Sequence, residues 1–187
     1  MYVFDVEENK LHKVCLSKIW KKTDYIQNPI FDNNDGIVFN LLSSPIKKLG
    51  LNFCLNRPSV LCHIKEPKFK KEEESEVTIL NQGEYMAMQP KFSPDFSKLV
   101  YIGSKNKFVA HSSNFQLRSF DWPVKSESQS QAIIDYKTGY PKDTDAFSGI
   151  FGYQMSFTNS KFIGLSNRFF MFTSEFKGQA RIYIADV

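Results

Sequence analysis

The string Gln89-Pro90-Lys91-Phe92-Ser93-Pro94-Asp95-Phe96-Ser97-Lys98-Leu99-Val100-Tyr101-Ile102 constrains the fold more than any other part of this chain, because it spells strand, tight turn, strand. Pro94 presets φ for a turn and Asp95 can hydrogen-bond its own backbone there, while residues 98–102 are apolar enough for a half-buried strand. One such turn is a weak signal, but the pattern recurs. Asp32-Asn33-Asn34-Asp35-Gly36 is a dense turn signal between Pro29-Ile30-Phe31 and Ile37-Val38-Phe39-Asn40-Leu41-Leu42. A third, shorter copy lies near Ser166.

Strand signals continue on either side. Tyr2-Val3-Phe4-Asp5-Val6 and residues 10–16 flank a polar turn and predict a hairpin, followed by a loop over residues 20–28. Leu51-Asn52-Phe53-Cys54-Leu55 and Val60-Leu61-Cys62-His63-Ile64 flank Asn56-Arg57-Pro58-Ser59 and predict another, with residues 77–80 as a following edge strand. Residues 88–92, 98–102, 116–120 and 131–135 give four strands, and residues 153–157, 168–172 and 181–187 give three more. The 18 Phe within a 15% aromatic content suit pleated, half-buried surfaces, whereas helical periodicity is poor.

Units of this kind predict an all-β chain, a partial β-propeller of about three blades built from four-stranded antiparallel sheets. The blade pieces fall at residues 1–20, 29–80, 87–136 and 152–187. Tyr101 and Phe172 occupy matching positions at a spacing longer than the roughly 40 to 50 residues of compact propeller repeats, which places the excess in loops. A closed propeller has about four to eight blades, and an open set would leave apolar edges, so the chain is expected to be a piece of a larger protein.

The net charge of +4 is spread, so the chain is not expected to bind nucleic acid. Residues 65–76 are dense in Lys and Glu that nearly cancel, which predicts a solvated loop. Three cysteines, Cys15, Cys54 and Cys62, are too few for a disulfide framework and fit reduced thiols. Residues 1–6 alternate like a strand rather than a signal peptide, and no apolar run approaches about 18 residues. A cytoplasmic protein with no membrane partner is the expectation.

Leu49-Gly50-Leu51-Asn52-Phe53-Cys54-Leu55-Asn56-Arg57-Pro58-Ser59-Val60-Leu61 resembles a Leu-Gly-x-x-Phe-Cys-x-Asn-Arg-x-Ser-x-Leu string of the acylaminoacyl peptidase family, also called acyl-peptide hydrolases or acylamino-acid-releasing enzymes, within the prolyl oligopeptidase group of serine peptidases. Ser93-Pro94-Asp95 with Leu99-Val100-Tyr101, Phe120-Asp121-Trp122 and Phe147-Ser148-Gly149-Ile150 match the family in order. The resemblance implies the N-terminal propeller. In that family a C-terminal α/β-hydrolase domain follows it, with the nucleophile on a Gly-x-Ser-x-Gly elbow. This chain contains no such elbow; Gly164-Leu165-Ser166-Asn167-Arg168 lacks the closing Gly and falls in an expected blade turn. The implied partners are the hydrolase domain, short N-acylated peptides and a further copy of the protein in a homo-oligomer.

No residue of this chain is expected to act as a catalytic, cofactor-binding or metal-binding group, and no cofactor is expected. His111-Ser112-Ser113 offers a base beside a nucleophile, but neighbours on an extended chain point to opposite faces, which favours a polar loop. Cys54, Cys62 and His63 lack the paired spacing and fourth ligand of a zinc site. His12 and His63 read as sheet residues, Phe169-Phe170-Met171-Phe172 as core packed on both faces, and Trp122 as packing at a strand end. The resemblance implies a role in limiting access to a hydrolase site. The alternatives are a stand-alone interaction module and a truncated gene product.

Overall fold

In the computed structural model the described residues are 1–16, 25–42, 58–70, 72–84, 86–105, 114–125, 129–136, 146–151 and 160–187. They form no helix; fourteen strands make four antiparallel sheets. The first sheet is the hairpin of β1 (Tyr2–Asp5) and β2 (Lys10–Lys13). The second is β3 (Tyr25–Phe31), β4 (Ile37–Leu42), β5 (Ser59–Ile64) and β6 (Thr78–Ile79), hydrogen-bonded in that order. The third runs in order through β7 (Met86–Phe92), β8 (Lys98–Ser104), β9 (Asn114–Asp121) and β10 (Gln131–Ile134), with β11 (Ile150–Phe151) also on β9. The fourth joins β12 (Lys161–Phe162), β13 (Phe169–Phe176) and β14 (Gln179–Asp186).

Side-chain alternation along the central strands divides the core into three layers, one between each pair of successive sheets. Ile37, Phe39 and Leu41 of β4, with Cys62 and Ile64 of β5, pack toward Val3 and Val14 of the first hairpin. Val38 and Leu61 face the other way, onto Leu99, Tyr101 and Phe120 of the third sheet. Val100, Ile102, Phe115 and Leu117 in turn face Phe162, Phe170 and Phe172 of the fourth. Sheets stacked face to face in chain order, each four-stranded sheet entered from its first strand, are the arrangement of propeller blades.

The repeated turn has a common hydrogen-bond plan. Ser93 N–H donates to Lys98 C=O at 2.9 Å, and its Oγ accepts Lys98 N–H at 2.9 Å. Asp32 N–H donates to Gly36 C=O at 2.9 Å, and its Oδ1 accepts the N–H groups of Asn34 and Gly36. Each turn is preceded by a bulge at a Pro: the register shifts between Gln27 and Ile30 and between Met88 and Lys91, with Asn28 and Gln89 at φ 50 and 54. A bulge tolerates Pro29 and Pro90, which have no N–H to give the ladder.

Several sequence expectations change. The strand before the Asp32 turn begins at Tyr25, not Pro29, because the bulge lets pairing resume at Gln27 with Asn40. Val60–Ile64 lies in β5, which pairs with β4 on one edge and with β6 on the other; residues 51–55, its expected hairpin partner, lie outside the described residues. The expected strand at residues 153–157 also lies outside them; the partner of β13 there is β12. Phe169-Phe170-Met171-Phe172 is packed on one face only: Phe170 and Phe172 are buried, whereas Phe169 is 39% exposed. The charged loop after β5 is tied down in the middle, since Ser75 is buried, donates its N–H to Cys15 C=O at 2.8 Å and accepts Lys68 N–H at Oγ.

Candidate functional site

Polar groups converge between the second and third sheets. Gln116, Arg118 and Phe120 lie on one face of β9, the face turned to the second sheet, while Phe115 and Leu117 face the fourth. An arginine at such a position must find partners, since a buried unpaired charge is strongly unfavourable. Arg118 Nε lies 2.7 Å from Glu84 Oε1 and 2.8 Å from Ser130 Oγ, Nη1 donates to Gln116 Oε1 and Nη2 to Ser130 C=O, both at 2.8 Å. The Glu84 carboxylate also accepts the Tyr101 hydroxyl, at 2.8 Å to Oε2, and the Ser130 hydroxyl. Both ion-pair side chains are 5% exposed. Burial, then the Glu84 charge, pushes the Tyr101 phenol well above its usual range, so it stays a donor. Gly103 makes room: a Cβ there would meet Arg118 Cδ at 2.7 Å.

This network floors a cleft of about 670 Å³ between residues 78–84, which link the second sheet to the third, and the β9–β10 side of the third. Asn81, 2% exposed, lines it and accepts Leu61 N–H at Oδ1 (2.6 Å), satisfying β5 where β6 has ended. Lys105 and Lys125 stand on the cleft as well.

A second polar pair lies within the second sheet, on the side facing the third. His63 Nε2 is 2.9 Å from Asp32 Oδ2, and because a carboxylate only accepts, Nε2 carries the proton. The imidazole meets Trp122 edge-on at 4.8 Å, and a Cβ at Gly36 would collide with both His63 and Asp32. Burial lowers the His63 pKa, opposed by the hydrogen bond to and charge of Asp32 and reinforced by Lys65. The folded state therefore resists a proton that the unfolded chain takes up below about pH 6.5. Stability from this group is complete above that pH and declines as the pH falls toward the lowered folded value. His63→Gln is expected to shrink the difference between urea midpoints at pH 7.5 and pH 5.5 relative to the unsubstituted chain.

The residues examined as catalytic or ligating candidates do not assemble. His111-Ser112-Ser113 and Cys54 lie outside the described residues. Cys62 points into the layer facing the first hairpin, with burial pushing its thiol pKa up to about 12, while His63 points to Asp32 on the other side. Ser166 sits in the β12–β13 turn, its Oγ accepting Arg168 N–H at 3.1 Å. Trp122 packs on Phe92 at 4.9 Å. On the first hairpin, one ligand atom each from Asp5, Glu8 and His12 lies within 4.8 Å of the others, but Asp5 Oδ1 caps Glu8 N–H and the His12 ring rests on Phe69. Sequence reading missed Glu84 and Arg118; the available signal was two polar residues, Gln116 and Arg118, on the core-facing side of an apolar strand.

The class these features define is an all-β set of propeller blades whose buried polar groups fasten one sheet to the next. The family model for the N-terminal domain of the acylamino-acid-releasing enzyme matches residues 1–187, and the chain belongs to that family. Acylamino-acid-releasing enzyme 1 of Oryza sativa subsp. japonica is 28% identical to it over 101 residues, 48% of this chain and 13% of the rice protein. Among the described residues no helix is long and apolar enough to cross a membrane.

Proposed function

We propose that this propeller segment acts as a cover over a serine-hydrolase domain of the acylaminoacyl peptidase kind, restricting entry to small N-acylated peptides in the cytoplasm. The observation that carries this is the use of the buried polar groups. Arg118 and Glu84, Asn40 and Ser59 are engaged between successive sheets and Asp32 and His63 in bracing the second, and among the described residues none forms a nucleophile–base pair. The contribution is therefore one of shape. Apolar side chains on the outer faces of the end sheets, Phe4 and Leu11 on one and Ile182 and Ile184 on the other, suit packing against further sheets or an adjoining domain.

The blade pieces at residues 1–20, 29–80, 87–136 and 152–187 are the units of that cover, and a homo-oligomer is compatible with it. Purified chain mixed with an acetyl-alanine chromogenic reporter is expected to release product no faster than buffer. Release that a serine-directed fluorophosphonate abolishes would overturn the non-catalytic role.

A further inference from the structure

Asp35-Gly36, in the turn between β3 and β4, is the sole Asp-Gly step in the sequence, which has no Asn-Gly. An Asp or Asn followed by Gly is the step most open to attack by the backbone on the side chain, because glycine has no Cβ to hinder it. We propose that Asp35 is a site of spontaneous succinimide and isoaspartate formation, and that the Asp32 carboxylate, braced by His63, shields it in the folded blade. This chemistry is independent of the cover role.

The Gly36 nitrogen attacks Cγ of the Asp35 carboxyl group, an N–Cγ bond forms, and the amide proton leaves with the carboxyl hydroxyl as water. The product is a five-membered imide. Water then adds to either carbonyl: cleavage of N–Cγ restores aspartate, whereas cleavage between the Asp35 carbonyl carbon and the nitrogen yields isoaspartate, with the main chain routed through Cγ. No oxidant or further reactant is needed. The extra main-chain carbon falls between Asp32 and Gly36, whose N–H···O=C bond at 2.9 Å closes the turn, and beside the Phe31–Ile37 pair that starts the ladder.

Packing demands the glycine: a Cβ at residue 36 would collide with Asp32 Oδ2 and meet His63 Nε2 at 2.8 Å. The reactive step therefore comes with the His63–Asp32 pair. Asp35 supplies the other half, since its side chain is exposed and its φ is 60, a value that Asp and Asn tolerate better than most residues. Against these stands the shield. Attack requires the Gly36 nitrogen to give up its proton, and that N–H donates to Asp32 Oδ1 at 2.8 Å. A bond to a carboxylate favours the protonated amide, and the adjacent negative charge opposes the anionic nitrogen that attack needs. Asp32 is itself 8% exposed, and is fixed by Asn34 N–H at Oδ1 and by His63 Nε2 at Oδ2.

The test uses the 187-residue chain carrying Asp35→Asn, because Asn-Gly reacts by the same attack with loss of ammonia, which mass spectrometry reads. Asparagine also accepts the φ of Asp35. Deamidation at residue 35 in native buffer is expected to be about tenfold or more slower than in guanidinium chloride, the worth of one hydrogen bond to a charged group. Adding Asp32→Ala should raise the native rate about tenfold or more by the same reasoning. Adding Asp32→Asn instead, which keeps a neutral acceptor for Gly36 N–H, should give a rate between the two. Circular dichroism checks that each variant is folded, and if Asp32→Ala is not, Asp32→Asn decides alone. The unsubstituted chain, unfolded in heavy-oxygen water, should accumulate isoaspartate at Asp35 carrying one heavy oxygen. Equal rates in native buffer and denaturant, no acceleration in folded Asp32→Asn, or no isoaspartate at Asp35 in the unfolded chain would each overturn the assignment.

Discussion

Replacing Arg118 by methionine is expected to lower the unfolding free energy by about 3–5 kcal/mol, the usual cost of removing one member of a buried ion pair. The substitution leaves the Glu84 carboxylate buried with only the hydroxyls of Tyr101 and Ser130 as donors, and takes the donors from Ser130 C=O and Gln116 Oε1. Domains of this size are stable by only about 5–15 kcal/mol, so the loss is a large share of the total. Urea unfolding followed by far-ultraviolet circular dichroism measures it. Combining Arg118→Met with Glu84→Gln should recover part of the loss, because the charge left unpaired by the first substitution is removed by the second. A single-substitution effect under about 1 kcal/mol would mean that the pair is hydrated in solution.

Asn40→Ala is expected to cost about 1–3 kcal/mol, for two buried hydrogen bonds lost, Gln89 N–H giving up its Asn40 acceptor while Ala87 C=O keeps the Ser59 hydroxyl. Asn40 Nδ2 donates to Ala87 C=O at 2.7 Å, and its Oδ1 accepts Gln89 N–H at 3.0 Å. Ser59 reinforces the same place: its Oγ–H donates to Ala87 C=O at 2.7 Å and its Oγ accepts Ala87 N–H at 3.1 Å. Side chains of β4 and β5 thus satisfy the backbone of β7, the first strand of the next sheet, where no strand pairing joins the two. Ser59→Ala should cost a comparable amount, about 1–3 kcal/mol, since Ala87 N–H loses its Ser59 acceptor while Asn40 still holds Ala87 C=O. The comparison is read from the urea midpoints of the two variants.

Much of this architecture was legible because its signals are local. The Ser93-Pro94-Asp95 turn, the apolar runs at Ile37–Leu42 and Lys98–Ser104, and the recurrence of both announce short antiparallel strands stacked on two faces. Pairing was less legible. Val60–Ile64 can satisfy its ladder with any apolar strand in reach, and tertiary packing against Val38 and Leu99, rather than proximity in sequence, gives it β4 as a neighbour. The bulges at Pro29 and Pro90 escaped notice: Pro29 reads as the start of its strand until β4 shows that pairing resumes before it, and Pro90 lies inside a stretch that reads as a regular strand.

The site was the least legible. Glu84 sits in a turn-like segment that reads as solvated, and its burial depends on Arg118, Tyr101 and Ser130, which are distant in sequence and meet only when the third sheet packs on residues 80–84. Asn81 likewise reads as a turn residue, and its role appears only once β6 is seen to stop after Ile79. Cys62 and His63 were read correctly as sheet residues, yet the Asp32 partner of His63 came from a turn valued only for its geometry.

Sheets held face to face by side-chain clamps make a specific demand on backbone dynamics, and residue-resolved amide exchange by NMR tests it most directly. The amides of Ala87 and Gln89, bonded to Ser59 and Asn40 of the preceding sheet, are predicted to exchange as slowly as that of Val100 in the middle of β8, with Asn40→Ala releasing Gln89 first. Exchange of both amides at the rate of the exposed β13–β14 turn at Gly178 would contradict stacked blades.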